Sequence, residues 1–472
     1  MSFKFHHTDK WACANLDLIE EAEESNKKAI VLIGGASSSG KSFLAKTLVH
    51  FLGENGHKAV IVSLDQYNFG LSGIIPNKVN DNYFSGKLKN REEIRARIKK
   101  VIYSVPFDKK YAPEQIEKIK KEIAGLIPEK DRNLFLKSLY DEWKVLNFDE
   151  PTVYDLKSAS EDIKSLYAGK RIKERKYSKV ISEQVENDQI INGNDFDVIL
   201  VEGIYALSMG RLKNFKGIDI ITNFIDGNPK SLFLRRIIRD EKATSADSVF
   251  TISIYFKYIV KSYRETILPS RKKADIILDN ERTFLELREG NRYTTKRELH
   301  TKSDKAIEQI RSLGKISRVS YRKDTYFSVS KESRNSNNIL RLRSVSHDKG
   351  KTYYPSSLVH KGIPKCRKDG KVIRPINILL KEGEVNKVWA SAEDCIHDFL
   401  SAGFLVSSVQ KKKKIRREIN GENIVIREVD GQGYFIEFPD CGNEDNYQRI
   451  RSLIQHAENG KQSVISLPGK SK

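Results

Sequence analysis

The stretch Ala29-Ile-Val-Leu-Ile-Gly-Gly35-Ala-Ser-Ser-Ser-Gly40-Lys41-Ser42 opens on a continuous apolar run and closes on the pattern G-x-x-x-x-G-K-[ST]. Downstream, Phe43 to Phe51 spaces its apolar residues as a helix does, and Ala59 to Leu64 (AVIVSL) is apolar again. Strand, loop, helix, strand is a βαβ unit, the setting in which this motif works. A Gly/Ser loop can merely join a strand to a helix, but here both flanks are those the motif requires. Its glycines let backbone N–H groups turn inward around a phosphate, and the helix N-terminus adds its positive dipole end. Gly35, Ser37, Ser38, Ser39, Gly40, Lys41 and Ser42 are therefore the candidate ATP-binding residues, with Lys41 neutralising β/γ oxygens and Ser42 a ligand of Mg²⁺.

Working outward, Asp197 to Val201 (DVILV), Ile218 to Ile225 and Asp275 to Leu278 are unbroken apolar runs, the mark of a parallel sheet covered on both faces. The expected fold of this part is α/β, with a P-loop parallel sheet flanked by helices. Charged helical stretches such as REEIRARIKKVIYSV and APEQIEKIKKEIAGL predict a helical insertion over 70–145. The domain is placed at 28–284, after an N-terminal extension of 1–27. Beyond it the period changes to two in ILRLRSVS, IRPINILLKE, NIVIREV and GYFIEFP, which predicts an antiparallel sheet or barrel over 285–455 and a tail over 456–472. A Ser/Asn-rich turn is expected near 330–338.

Open parallel sheets bind ligands at the carboxyl ends of their strands. Asp65 directly follows AVIVSL and Glu202 directly follows DVILV. An acid after a strand is often only a helix cap. Two such acids in one sheet fit phosphoryl transfer, which needs one group to accept a hydroxyl proton and another to hold metal or its water.

With 472 residues the chain exceeds one ordinary core. No apolar run approaches the ~20 residues of a membrane span, and the N-terminus lacks a signal-peptide core, so a cytoplasmic protein is expected. Cys13, Cys366, Cys395 and Cys441 are scattered without C-x-x-C spacing and read as reduced structural thiols. The net charge is +21, and residues 285–472 hold 37 basic against 23 acidic residues. Such a field concentrates polyanions, but aromatic stacking motifs of the single-strand-binding kind are absent, which ranks nucleic acid last among the partners.

Four strings occur in order: VSLDQYNF (Val62 to Phe69), NFDEPTVYD (Asn147 to Asp155), FDVILVEGIYAL (Phe196 to Leu207) and LRRIIRD (Leu234 to Asp240). On these motifs residues 28–282 resemble the uridine kinase and phosphoribulokinase family. The resemblance implies that Asp65 is the catalytic base, Asp149 binds the acceptor's sugar hydroxyls, Glu202 is the Mg²⁺-linked acid, and Arg236 and Arg239 are lid arginines. It also implies a nucleoside or sugar-like acceptor, and the family's kinases often form homo-oligomers. Two departures stand out. Where nucleoside kinases of the family continue the lid with Arg-Gly-Arg, this chain has Asp240-Glu-Lys-Ala-Thr-Ser, and the base-reading Tyr177 is followed five residues later by Ser182 rather than His.

In the second half YRKDTYF (Tyr321 to Phe327), LRLR (Leu340 to Arg343), KKKKIRRE (Lys411 to Glu418) and GQGYFIEFPD (Gly431 to Asp440) resemble the CYTH or triphosphate tunnel family. That family's eight-stranded barrel binds triphosphate among basic side chains. Period two puts Arg341 with Arg343 on one face, and Lys411 with Lys413 or Lys412 with Lys414. The family's acidic entry strand has no clean copy before Tyr321, and its late Glu-x-Glu is reduced to Glu437-Phe-Pro439-Asp440, leaving Glu437 as the metal-ligand candidate. The resemblance thus implies a polyphosphate- or pyrophosphate-binding domain. Two readings follow: an ATP-dependent kinase with a regulatory tunnel, or a metal-dependent pyrophosphatase or triphosphatase working from the tunnel.

Overall fold

The computed structural model describes residues 3–23, 28–105, 109–209, 218–243, 247–280, 292–329, 339–361, 365–366, 372–439 and 443–459. The chain divides into two compact units, Met1–Phe284 and Leu285–Lys472.

In the first unit, strands β1 (Phe3–Phe5), β2 (Ala29–Gly35), β3 (Ala59–Ser63), β4 (Val198–Glu202), β5 (Asp219–Asp226) and β6 (Ile276–Asp279) form one sheet in the order β1-β6-β5-β2-β4-β3. All pairings are parallel. Every residue of β2 and β4 is buried, as unbroken apolar runs require of central strands. Val31 and Ile33 point to one face, where α1 (Thr8–Glu23) and α2 (Lys41–Glu54) bury Trp11, Ile19, Leu44 and Leu48 against them. Ile30 and Leu32 point to the other, against Ile163 and Leu166 of the helix Leu156–Tyr167.

Of residues 1–27, set apart as an extension on sequence grounds, Phe3–Phe5 joins this sheet and α1 packs on it. Phe3–Phe5 pairs in register with Ile276–Leu278, and the buried Trp11 donates its indole N–H to Asn223 Oδ1 at 2.7 Å. A three-residue strand is too short to show a period, so the pairing came from tertiary packing alone.

The insertion consists of α3 (Leu71–Phe84), α4 (Arg91–Ile102), α5 (Pro113–Glu122) and α6 (Glu129–Lys144). Ile94, Ile98 and Ile102, one helical face at i, i+4 spacing, meet Ile74, Val79, Phe135 and Leu139 in a core of their own.

The second unit is a closed antiparallel barrel. Strands β7 (Arg292–Thr301), β8 (Lys315–Ser328), β9 (Ile339–Ser346), β10 (Tyr354–Lys361), β11 (Val372–Leu380), β12 (Leu405–Ile419), β13 (Glu422–Val429) and β14 (Gly433–Phe438) run in the order β7-β14-β13-β12-β8-β9-β10-β11. Pairing of β7 with both β14 and β11 closes the ring, which removes the sheet's edges. Ile415, Ile424, Ile426, Ile436 and Phe438 face outward under α8 (Asp304–Ser312) and α9 (Glu444–Glu458). The alternate residues therefore face the interior. Of the tail placed at 456–472, residues 456–458 belong to α9, while its residues from 460 onward and the turn expected near 330–338 lie outside the described residues.

Candidate active site of the first unit and the basic interior of the second

The loop between β2 and α2 curls through three left-handed residues, Gly35 (φ 136°), Ser38 (φ 64°) and Gly40 (φ 99°). A Cβ at Gly35 would lie 2.3 Å from the Ile225 carbonyl oxygen, and one at Gly40 would lie 2.6 Å from Asn280 Nδ2, so both positions require glycine. Asn280 Nδ2 also donates to the Ser39 carbonyl at 2.7 Å and fixes the loop from behind. Lys41, 7% exposed, donates to the Ala36 carbonyl at 2.7 Å. Burial pulls its ammonium down to about 8, against the pull of Glu202, Asp65 and Asp149. The hydroxyls of Ser38 and Ser39 are buried without a hydrogen-bond partner among the described residues.

Glu202 ends β4 in register with Ile33 of β2 and Ser63 of β3, which brings its carboxylate to the loop. Its Oε1 accepts from Ser63 Oγ at 2.5 Å and from Ser42 Oγ at 3.2 Å. Burial, with the nearby charge of Asp65, raises its pKa. Asp65 lies just past β3 and forms an ion pair with Lys179 Nζ at 2.7 Å. Burial works against its charge, but Lys179, Lys41 and Arg239 more than offset this and hold the carboxyl below its ordinary value.

From α7 (Pro229–Ala243), Arg236 reaches both oxygens of Asp149 at 3.2 Å and the Ser37 hydroxyl at 2.8 Å. Arg239 donates to Ser37 Oγ at 3.0 Å, and Asp240 pairs with both arginines at 2.9 Å. Burial disfavours the Arg236 charge, yet Asp149 and Asp240 hold its pKa above the usual guanidinium value. The phosphate loop, Asp65, Asp149, Glu202, Arg236 and Arg239 therefore converge on one cleft. Tyr177 lies on a small hairpin, Lys176–Ser178 with Glu183–Val185, where burial raises its phenol pKa and the Ser182 hydroxyl partly offsets the rise.

In the barrel, Asp324 is fully buried and accepts from Arg343 Nε at 2.9 Å, Arg343 Nη2 at 3.1 Å, Lys412 Nζ at 2.9 Å and Arg341 Nη1 at 3.5 Å. Lys412 also donates to Tyr326 OH at 2.7 Å. Burial lowers Arg322 to about 10, with Arg343 adding repulsion, and lowers Lys414 to about 8 against the attraction of Glu437. Glu437 lies opposite Glu298 in register, and Arg427 pairs with both, at 3.3 Å and 2.7 Å. Of the two lysine pairings left open by the sequence, Lys412 and Lys414 take the inward one, while Lys411 is exposed.

Lys179, Ser63, Asn280, Glu298 and Asp324 carry no role in the sequence reading. Asp324 alone had a signal there, because it alternates with Arg322 and Tyr326 inside YRKDTYF. The others meet their partners only through the fold.

Residues 140–286 match the Phosphoribulokinase / Uridine kinase family model. A uridine kinase of Macrococcus caseolyticus is 30% identical over 141 residues, 29% of this chain and 65% of that protein. One of Staphylococcus aureus (strain JH9) is 32% identical over the same shares. This chain thus spans about 65% of the length of these curated relatives. The solved structure of a possible uridine kinase from Bacillus stearothermophilus aligns with 56% of this chain and all of its own at 15% identity, with a TM-score of 0.27. The likeness to this family therefore covers residues 140–286, most of them in the unit built on the parallel sheet. The matched segment starts within α6, so the insertion stands between it and the phosphate loop. Among the described residues no helix is long and apolar enough to cross a membrane.

Proposed function

We propose that the first unit is an ATP-dependent kinase that transfers the γ-phosphoryl group to a hydroxyl of a nucleoside or sugar-like small molecule. One observation carries this reading. A buried phosphate-loop lysine lies within electrostatic reach of Glu202, Asp65 and Asp149, the acids of three separate chain segments. Lys41 and the loop amides would hold the β/γ-phosphates, with Arg236 and Arg239, both on Ser37, neutralising charge as the phosphoryl group moves.

Asp65 is held ionised, so its carboxylate can take the proton of the acceptor hydroxyl as that oxygen attacks phosphorus. Asp149 would orient the acceptor's other hydroxyls. The oxygens of Ser42 and Glu202, 3.2 Å apart, fit Mg²⁺, because a nearby cation relieves a carboxylate whose charge is disfavoured by burial. When bound, that ion would neutralise charge on the phosphate oxygens. Ser182 spends its hydroxyl within its own hairpin, on the Lys179 carbonyl at 3.3 Å. A base edge therefore finds no imidazole there, which supports an acceptor class broader than uridine.

The barrel is read as a polyphosphate-binding domain of CYTH type. Arg322, Arg341, Arg343, Lys412, Lys414 and Arg427 outnumber Asp324, Glu298 and Glu437 in its interior, and the Nε–H groups of Arg322 and Arg341 are buried without a partner among the described residues. Glu298 and Glu437, the other interior carboxylates among the described residues, are salt-bridged to Arg427, which favours anion binding over metal-dependent hydrolysis.

The test incubates the protein with Mg-ATP and a panel of nucleosides and sugars, then with pyrophosphate and tripolyphosphate, comparing wild type, Asp65→Ala and Arg341→Ala. Acceptor phosphorylation lost in Asp65→Ala and kept in Arg341→Ala supports the kinase. Phosphate release from pyrophosphate that depends on Arg341 and ignores Asp65 favours the hydrolase.

A further inference from the structure

The inserted helices leave the phosphate loop untouched in every described hydrogen bond, yet they are tied to the other wall of the cleft. The hairpin Lys176–Val185 carries Lys179, whose ammonium sits on Asp65. On the far side of the same hairpin Glu183 is 1% exposed, and its two oxygens accept from Ser72 N at 2.8 Å and Ser72 Oγ at 2.7 Å, at the start of α3. The Leu71 amide donates to the Ser182 carbonyl at 2.9 Å. From α4, Lys99 donates to the Gln184 carbonyl at 2.9 Å, and Gln184 Nε2 donates to the Asn68 carbonyl at 2.9 Å.

The segment between Asp65 and α3 is equally constrained. Gly70 has φ 73°, and a Cβ there would lie 2.5 Å from Glu183 Oε2 and 3.1 Å from Glu183 Cα. Glycine at this position lets the hairpin close onto the chain. Phe69 donates to the Val153 carbonyl at 3.0 Å, and Asp155 to the Tyr67 carbonyl at 2.8 Å, so the strip from Asp65 to Ser72 is clamped on two sides.

Burying a carboxylate is costly unless it is hydrogen-bonded, and Glu183 shows the cost, because burial raises its pKa against the pull of Ser72. A surface turn could reach Lys179 to Asp65 without a buried acid behind it. The buried acid makes the placement rigid.

We propose that Glu183 is a positioning residue for the phosphoryl acceptor side of the cleft. By locking the hairpin onto the first inserted helix it holds Lys179 on Asp65, and the insertion is the brace that makes this possible. The inference rests on the reading of Asp65 as the proton acceptor.

The test compares Glu183→Ala, Glu183→Gln, Gly70→Ala and Asp65→Asn in the full chain. Hydrogen exchange should show Glu183→Ala losing protection over 176–185 and 65–72 together, while 35–42 keeps wild-type protection. With the best acceptor of the panel, kcat should fall about 10- to 100-fold, the scale of small misplacements in a reacting site, with the KM for ATP unchanged. Glu183→Gln, which keeps an acceptor for the Ser72 amide, should recover most of the loss, and Gly70→Ala should reproduce it.

Exchange that changes only within α3–α6, or a kcat unmoved in Glu183→Ala when Asp65→Asn is inactive, overturns the inference and leaves the kinase reading standing. A fully active Asp65→Asn removes the kinase reading itself, while joint loss of protection over 176–185 and 65–72 would still support the brace.

Discussion

Replacing Asp324 by alanine should destabilise the barrel more than any other single change in it. Its carboxylate is fully buried and receives four hydrogen bonds from Arg341, Arg343 and Lys412, whose side chains are 6%, 24% and 4% exposed. Removal strands three cations, two of which, Arg341 and Lys412, have almost no solvent to screen them. Deleting one partner of a buried ion pair costs about 3–5 kcal/mol. At roughly 2–4 °C per kcal/mol for a unit of this size, the barrel's thermal transition should fall by roughly 6–20 °C. Differential scanning calorimetry of the full chain reads this shift, with the transition of the first unit as internal control.

On the proposed reading of the barrel as a polyphosphate-binding domain, tripolyphosphate should supply the missing negative charge. At about 100 times its Kd it should return roughly 2.7 kcal/mol to the variant. The pH dependence has a definite sign. Burial opposes ionisation of Asp324, but the Arg343 hydrogen bonds and the charges of Arg341, Arg343 and Lys412 more than offset it and hold the carboxyl well below its ordinary value. A depressed carboxyl contributes stability that is complete above the unfolded value near about 3.9 and is lost only as pH falls below it. The gap between wild type and variant should therefore stay constant from pH 7 to 5. A loss under about 1 kcal/mol, or a variant whose transition tripolyphosphate does not raise, would refute the idea that this carboxylate neutralises an anion-binding interior.

Three further outcomes are expected. Since burial brings Lys41 down to about 8, ATP binding near pH 8 should take up protons as the phosphates restore the ammonium; calorimetry in buffers of different ionisation enthalpy detects this, and Lys41→Met should abolish it. Gly35→Ala forces a Cβ to within 2.3 Å of the Ile225 carbonyl at a left-handed position, so its Kd for ATP should rise at least 10-fold by equilibrium dialysis. Lys414, lowered to about 8 by burial, loses its proton earlier in the folded than in the unfolded chain, so tripolyphosphate affinity should weaken as pH rises past 8; Lys414→Gln should flatten that dependence in titration calorimetry.

The resemblance of its motifs to a kinase family marked Asp149; the residues themselves determined the phosphate loop, the candidate acids Asp65 and Glu202, the parallel sheet and the switch to period two. Each is a local property: a glycine spacing, an apolar run, an acid one step past a strand, or an alternation. Only the tertiary structure decided that Phe3–Phe5 joins the sheet, that Lys179 sits on Asp65, that Glu183 binds the hairpin to α3, and that Asp324 gathers three cations. These contacts join residues far apart in the chain, with 111 positions between Ser72 and Glu183 and 88 between Asp324 and Lys412. Charge and hydrogen-bonding partners are set by distance through space, and a periodicity read along one strand cannot say which other segment will supply them.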